Sequence, residues 1–92
     1  MAKEIIWTKR ALCKFNKIIS YLEKEWNESV AKDFVQKTYK ILTLQSEQPY
    51  IGSLEDNKLS IRGILLTKHN RLFYTISCDK IILINFFDTR SK

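Results

Sequence analysis

The chain has 92 residues and a formal net charge of +6, and 45% of its residues are hydrophobic. This length suits one domain over residues 1–92, and the apolar content is that of a globular protein rather than a disordered one. Its apolar runs fall short of the ~20 residues of a membrane-spanning helix, and the N-terminus lacks the apolar core of a signal peptide, so we predict a cytoplasmic protein.

Residues 3–7 predict a short strand, and Thr8 can cap the helix that follows it. Apolar residues then recur three and four apart, as on one helix face. This first stripe consists of Ala11, Leu12, Phe15, Ile18, Ile19, Leu22 and Trp26. Asn27 or Ser29 caps a second helix. Its stripe consists of Val30, Ala31, Phe34, Val35, Thr38, Ile41 and Leu42. Because the connection is short, we expect an antiparallel helical hairpin.

A loop is predicted over residues 47–58, where Pro49 and Gly52 end the second helix. Three segments rich in Ile, Leu, Phe, Tyr and Thr follow it, and each has the length of a strand. These segments are residues 59–67, 71–78 and 80–87. We place the two tight turns between them at His69-Asn70 and Asp79-Lys80.

The element order predicts an α+β domain of β-α-α-β-β-β type. A small antiparallel sheet carries the helical hairpin on one face, and its other face stays partly open. The first strand lies at the sheet edge or between later strands; the sequence does not decide which.

No metal or cofactor is expected. Cys13 and Cys78 lie far apart and form no C-x-x-C pair, and the lone His69 cannot complete a zinc site. We interpret both cysteines as reduced, buried residues, and Trp7 and Trp26 as part of the core. A glycine-rich phosphate loop and a Ser-His-Asp set are both missing from the sequence.

Arg62 is the best candidate for a functional cation, because it lies inside an apolar strand beside Gly63. It is either an anion-binding group in a cleft or a structural arginine in a salt bridge. Lys68 and Arg71 flank the first turn and are either a basic rim or solvated charges. Tyr74 is in mid-strand, where we expect a packed ring with its hydroxyl at the rim. Arg90 follows the last strand on a charged tail.

The ordered set of segments resembles the RelE/ParE toxins. Their short strand and first helix match IIWTKRALCKFNKIISYLEKEW, and their second helix and Pro-x-x-Gly loop match AKDFVQKTYKILTLQSEQPYIG. Their arginine-bearing strand, basic turn and L-x-Y strand match SIRGILLTKHNRLFYTI, and their last strand with its D-x-R ending matches KIILINFFDTR. The resemblance implies a toxin that a co-expressed antitoxin neutralises. RelE-like members cut messenger RNA on the ribosome, and ParE-like members poison DNA gyrase.

The resemblance also assigns candidate site residues. Arg62, Arg71 and Arg90 are implied as catalytic cations, and Lys68, Arg62 and Tyr74 as RNA-binding residues. The chain departs from the family in having no match to the Glu and His acid–base pair of the YoeB-like branch. It also ends at Lys92, without a counterpart of the C-terminal Tyr or His of typical ribonuclease members.

Three functions therefore remain open. The first is ribosome-dependent cleavage of mRNA, which needs the cations to converge on one surface. The second is gyrase poisoning by binding alone, and the third is a non-toxic binding module of the same fold. The antitoxin is expected to bring an acidic, amphipathic segment to the open sheet face. Arg62→Ala is expected to reduce toxicity and leave the fold intact.

Overall fold

The computed structural model describes residues 3–88, which form two helices and five strands. In chain order these are β1 (Glu4–Trp7), α1 (Lys9–Glu25), α2 (Glu28–Glu47), β2 (Ser53–Asp56), β3 (Ile61–Thr67), β4 (Asn70–Ser77) and β5 (Lys80–Asp88). The predicted α+β class and the order of strand, two helices and three long strands are confirmed. Neither helix combines the length and apolar character of a membrane span.

The strands form one sheet in the order β1-β5-β4-β3-β2. Strand β1 lies at one edge and pairs in parallel with β5, while the other pairings are antiparallel. The sheet is therefore mixed rather than purely antiparallel. Parallel neighbours need a long crossover connection. The chain from the end of β1 to the start of β5 supplies it.

Strand β2 lies inside the segment that the sequence predicts as a loop. It pairs with β3, with Ser53 opposite Gly63 and Leu54 opposite Arg62. Its four residues, Ser-Leu-Glu-Asp, include one apolar side chain and show no alternation. An edge strand exposed to solvent does not need an apolar face, so periodicity could not reveal it.

The helical hairpin is fixed by caps that the sequence predicts. The Thr8 hydroxyl accepts a hydrogen bond from the Ala11 N–H at 3.1 Å, and the Asn27 side chain accepts one from the Val30 N–H at 2.9 Å. Asn27, rather than Ser29, is thus the cap of α2. Both helices pack on one face of the sheet. The residues at the centre of this core include Ala11, Phe15, Phe34, Leu72, Tyr74, Ile81, Leu83 and Phe86.

Both strand turns differ from their predicted positions by one residue. Thr67 pairs with Asn70 and Ser77 pairs with Lys80, so the turns are Lys68-His69 and Cys78-Asp79. Asn70 begins β4 and is buried, and its side-chain amide donates to the Thr67 hydroxyl at 2.9 Å. The left-handed conformation, with a φ of 54°, is adopted by Cys78 instead.

Three predictions about burial are wrong. Cys13 and Cys78 are both exposed, because Cys13 falls outside the buried stripe of α1 and Cys78 lies in a turn. Trp26 is 60% exposed because it is the C-cap of α1, where the helix face ends. Trp7 does pack against the core, and its ring centroid lies 5.6 Å from that of Phe86.

Gln45 on α2 offers a test of the core. Its side chain is 0% exposed, and both polar atoms of its amide lack a hydrogen-bond partner among residues 3–88. A buried polar group without a partner costs about 1–3 kcal/mol. Gln45→Leu should therefore raise the free energy of unfolding in urea by about that amount.

Gln36→Leu is the matched control, because Gln36 is exposed on the same helix. It should change the unfolding free energy by less than ~0.5 kcal/mol. A loss of stability in Gln45→Leu would mean that the amide is satisfied in solution.

Candidate functional site

Arg62 lies in the middle of β3 and binds the chain's own backbone. One guanidinium nitrogen, Nη1, donates to the Gly52 carbonyl oxygen at 2.7 Å. The guanidinium carbon lies 4.9 Å from the centroid of the Tyr50 ring, within the range of a cation–π contact. The half-buried arginine thus holds the segment between α2 and β2.

Tyr74 binds the same segment from the core. Its hydroxyl donates to the Pro49 carbonyl oxygen at 2.8 Å and accepts from the Gly52 N–H at 3.0 Å. The side chain is 0% exposed, so the packed ring that the sequence predicts is confirmed, and the RNA-binding role that the resemblance implies stays a prediction. The alternation of Leu72 and Tyr74 along the strand is a signal of this burial.

We call the contacts of Arg62 and Tyr74 with residues 49–52 the loop clasp. Gly52 is essential to it, because a Cβ there would lie 2.7 Å from the Gly63 carbonyl oxygen and 2.8 Å from the Tyr74 hydroxyl. The clasp holds the chain where it enters β2. Arg62 thus makes contacts within the fold, to a backbone carbonyl and a ring rather than to a carboxylate, and its role in binding an anion stays a prediction.

Arg71 is engaged in an internal ion pair. Its Nη2 donates to the Glu55 Oε2 at 3.0 Å, and both side chains are 34% exposed. Gly63 makes room for this pair, because the Glu55 Cγ lies 3.0 Å and the Phe73 ring 3.1 Å from where a Cβ would be. The glycine is thus covered by side chains rather than by another backbone. The charge of Arg71 is largely neutralised within the chain.

Arg62 and Arg71 lie on opposite faces of the sheet. Arg62 pairs across with Tyr74, whose side chain points into the helix-covered core. Arg71 precedes Leu72 on β4, and alternate residues of a strand face opposite sides, so Arg71 is on the open face. It pairs with Leu65 and Phe87, which are 55% and 49% exposed. The expected cluster of these two cations does not form, and Arg90 lies outside the described residues.

Lys68 belongs to a different surface, a groove at the tip of the helical hairpin. The groove has a volume of about 390 Å³ and runs between the α1–α2 connection and the β3–β4 turn. We call it the tip groove. Its walls include Leu22, Trp26, Val30 and Phe34 from the helices, and Lys68 and His69 from the turn.

The sequence did not reveal the tip groove, because its residues come from both helices, from β3 and β4, and from the connections between them. The signal that was available is Trp26, a large aromatic side chain directly before the Asn27 cap. Among residues 3–88, the structure brings together no group of three His, Cys, Asp or Glu side chains that could hold a metal ion.

A family model for the ParE toxin of the type II toxin–antitoxin system parDE matches residues 5–92. The chain belongs to this family. It is therefore the toxin of a type II toxin–antitoxin system. No curated protein matches this toxin in sequence.

Solved structures share the fold of this toxin at low sequence identity. One is from the chromosomal ParDE system of P. aeruginosa, with a TM-score of 0.78, 12% identity, and coverage of 95% of this chain and 96% of that one. The YoeB/ParE toxin from Agrobacterium tumefaciens gives a TM-score of 0.69 at 12% identity, and the match covers 92% of this chain and 96% of that one. A chain of the RelBE2 toxin–antitoxin complex from Mycobacterium tuberculosis gives a TM-score of 0.65 at 13% identity, and the match covers 96% of this chain and 99% of that one. The fold thus recurs in ParE, YoeB and RelE structures alike.

The loop clasp predicts that Arg62→Ala destabilises the toxin, contrary to the expectation from sequence. The variant loses a charge-assisted hydrogen bond and a cation–π contact, so the free energy of unfolding in urea should fall by about 1–2 kcal/mol for this half-exposed group. Arg62→Lys should recover part of the loss, because lysine keeps the charge without the planar fork.

The control is Arg10→Ala, because Arg10 is exposed on α1. It should shift the unfolding free energy by less than ~0.5 kcal/mol. If Arg62→Ala is as stable as the wild type, the clasp does not stabilise the fold.

Tyr74→Phe tests the other half of the clasp. It leaves the Gly52 N–H and the Pro49 carbonyl without the hydroxyl, which should lower the free energy of unfolding by about 1–3 kcal/mol. Burial raises the pKa of Tyr74 above its ordinary value of 10.0, and this effect exceeds the lowering by the Gly52 hydrogen bond and the Arg62 charge.

The raised pKa makes the stability of the toxin depend on pH. The folded state keeps the Tyr74 proton above pH 10, where the unfolded chain releases it, so stability is full below pH 10 and falls as the pH rises further. Urea unfolding between pH 9 and 11.5 should show a steeper fall for the wild type than for Tyr74→Phe. Equal slopes would contradict the assignment.

Proposed function

We propose that this toxin arrests growth by binding DNA gyrase and that it performs no catalytic step of its own. The observation that carries this proposal is the separation of Arg62 and Arg71 on opposite faces of the sheet. Cleavage of RNA would require cations that converge on one scissile phosphate and stabilise the charge developing there. Each of these arginines instead has an acceptor within the chain, Gly52 for Arg62 and Glu55 for Arg71.

The side chains around these two arginines are also poorly suited to act as a general acid or base. A general acid or base must lie within hydrogen-bonding reach of the reacting group. The carboxylate of Glu55 is paired with Arg71, and the Tyr74 hydroxyl is buried, donates to Pro49 and has a raised pKa. These contacts favour a toxin that works by occupying a protein target.

The surface of the toxin suits protein contacts. Large apolar side chains are exposed on the helical hairpin, among them Leu12 at 48% and Tyr39 at 52%. Exposed aromatic and aliphatic groups of this kind are enriched at the centres of protein interfaces. Gyrase and the ribosome are both cytoplasmic, so either target agrees with the location expected from the sequence.

The proposal predicts inhibition of purified gyrase. Toxin added to gyrase, relaxed plasmid and ATP should block supercoiling, and induction in cells should damage DNA before protein synthesis falls. Arg71→Gln should keep this activity, because a partly exposed ion pair contributes at most ~1 kcal/mol to stability and its charge is already neutralised. Lys14→Gln, at an exposed position of α1, is the matched control.

Ribosome-dependent cleavage of mRNA is the second candidate. It is favoured by the net charge of +6 and by the exposed Lys68 on the β3–β4 turn. In that case induction would stop protein synthesis first, and primer extension would map cuts in translated mRNA. Arg71→Gln would then lose ~10²-fold or more in cleavage rate, while Lys14→Gln would not. Full growth at high expression would support the non-toxic binding module instead.

A further inference from the structure

The tip groove combines an apolar floor with an exposed aromatic wall. Leu22 and Phe34 form the floor and are each 3% exposed. Trp26 and Val30 stand above them, 60% and 36% exposed. Large apolar side chains around a concave surface are what an interface presents to an anchoring side chain of its partner.

The rim of the groove carries two lysines, Lys37 and Lys68, and one aspartate, Asp33, so that its net charge is positive. Lys68 is exposed on the β3–β4 turn, and Lys37 lies on the helix side. Lys37 Nζ is 3.7 Å from Asp33 Oδ2, and both side chains are more than half exposed, at 54% and 66%. A pair this exposed is weak, so the Lys37 ammonium can be shared with a carboxylate of a bound partner.

We propose that the tip groove is a docking site for the antitoxin, which inserts an apolar side chain against Trp26 and Val30 and places carboxylates beside Lys37 and Lys68. The charge of the rim selects an acidic segment, in keeping with the +6 of the whole chain. An amphipathic helix fits best, because such helices bind grooves through apolar anchors spaced three and four residues apart. The tip groove is a separate surface from the open sheet face, where the sequence predicts that the antitoxin binds. This inference does not depend on whether the target is gyrase or the ribosome.

A second copy of the toxin suits the groove poorly. A symmetric contact through this surface would gather the lysines of both rims, four in all, in one interface, and an excess of like charge across an interface is unfavourable. A nucleic acid would meet the cations but would leave the buried floor of Leu22 and Phe34 unused. The acidic protein segment is the occupant that uses both parts.

The test measures binding of the full-length toxin to the product of the small gene beside its own. Isothermal titration should show that Trp26→Ala weakens binding at least ~30-fold, as truncation of an anchoring contact does. Leu59→Ala is the matched control, because Leu59 is 65% exposed and lies outside the groove. It should change the affinity less than twofold.

The charge component is tested separately. Lys68→Glu should weaken binding about tenfold and flatten the dependence of affinity on salt, since it reverses a rim charge. Lys14→Glu, an equal charge change on α1 outside the groove, should have little effect. Both pairs of variants change exposed residues, and equal thermal unfolding midpoints will show that the fold is intact.

Fluorescence gives a readout that does not rely on affinity. Antitoxin binding should shift the tryptophan emission to shorter wavelength in the wild type and not in Trp26→Phe, because Trp7 is already packed in the core. Wild-type affinity in Trp26→Ala would overturn the proposal. It would be overturned equally if the toxin alone dimerises through the groove, or if a single-stranded RNA oligonucleotide, and not the antitoxin, shifts the Trp26 emission.

Discussion

Strands β1 and β5 hydrogen-bond in parallel, with Glu4 opposite Lys80 and Trp7 opposite Leu83, and the rest of the structure depends on this pairing. It places β5 between β1 and β4, where Ile81 and Leu83 are 0% exposed. The Thr8 hydroxyl, which caps α1, also donates to the Leu83 carbonyl oxygen at 2.7 Å. The start of the helical hairpin is thereby fixed to an interior strand of the sheet, and the hairpin covers the face on which Ile81 and Leu83 are buried.

The two arginines inside the sheet, Arg62 and Arg71, stabilise the fold through contacts within the chain. On the covered face, Arg62 and the Tyr74 hydroxyl hold residues 49–52, and so hold the chain that leads into β2. On the open face, Glu55 of β2 is paired with Arg71 of β4 across Gly63. Strand β2 and the chain that leads into it are thus held on the covered face by side chains of β3 and β4, and on the open face by a side chain of β4. Lys68, which is exposed on the β3–β4 turn, is in contrast available to a partner.

The sequence predicted most of the fold, because the two helices carry clear stripes and side chains that cap them. It missed β2, since an exposed edge strand of four residues needs no apolar alternation. It wrongly predicted that Trp26 is buried, because helical periodicity does not show at which residue the buried face of a helix ends. The candidate site was harder still. The contact of Arg62 with Gly52 and that of Arg71 with Glu55 join residues 10 and 16 positions apart, and neither leaves a local pattern.

The position of β5 also bears on how the protein is made. Ile5 pairs with Ile81, so the first strand to leave the ribosome has no neighbour until the last one follows. At ~5–20 residues per second, that interval is about 4–15 s of synthesis. A nascent chain that stops before Lys80 lacks the neighbour of both β1 and β4 and cannot close the sheet. The five-stranded sheet can therefore form only after synthesis of β5, and a product that stops before Lys80 cannot adopt the complete toxin fold.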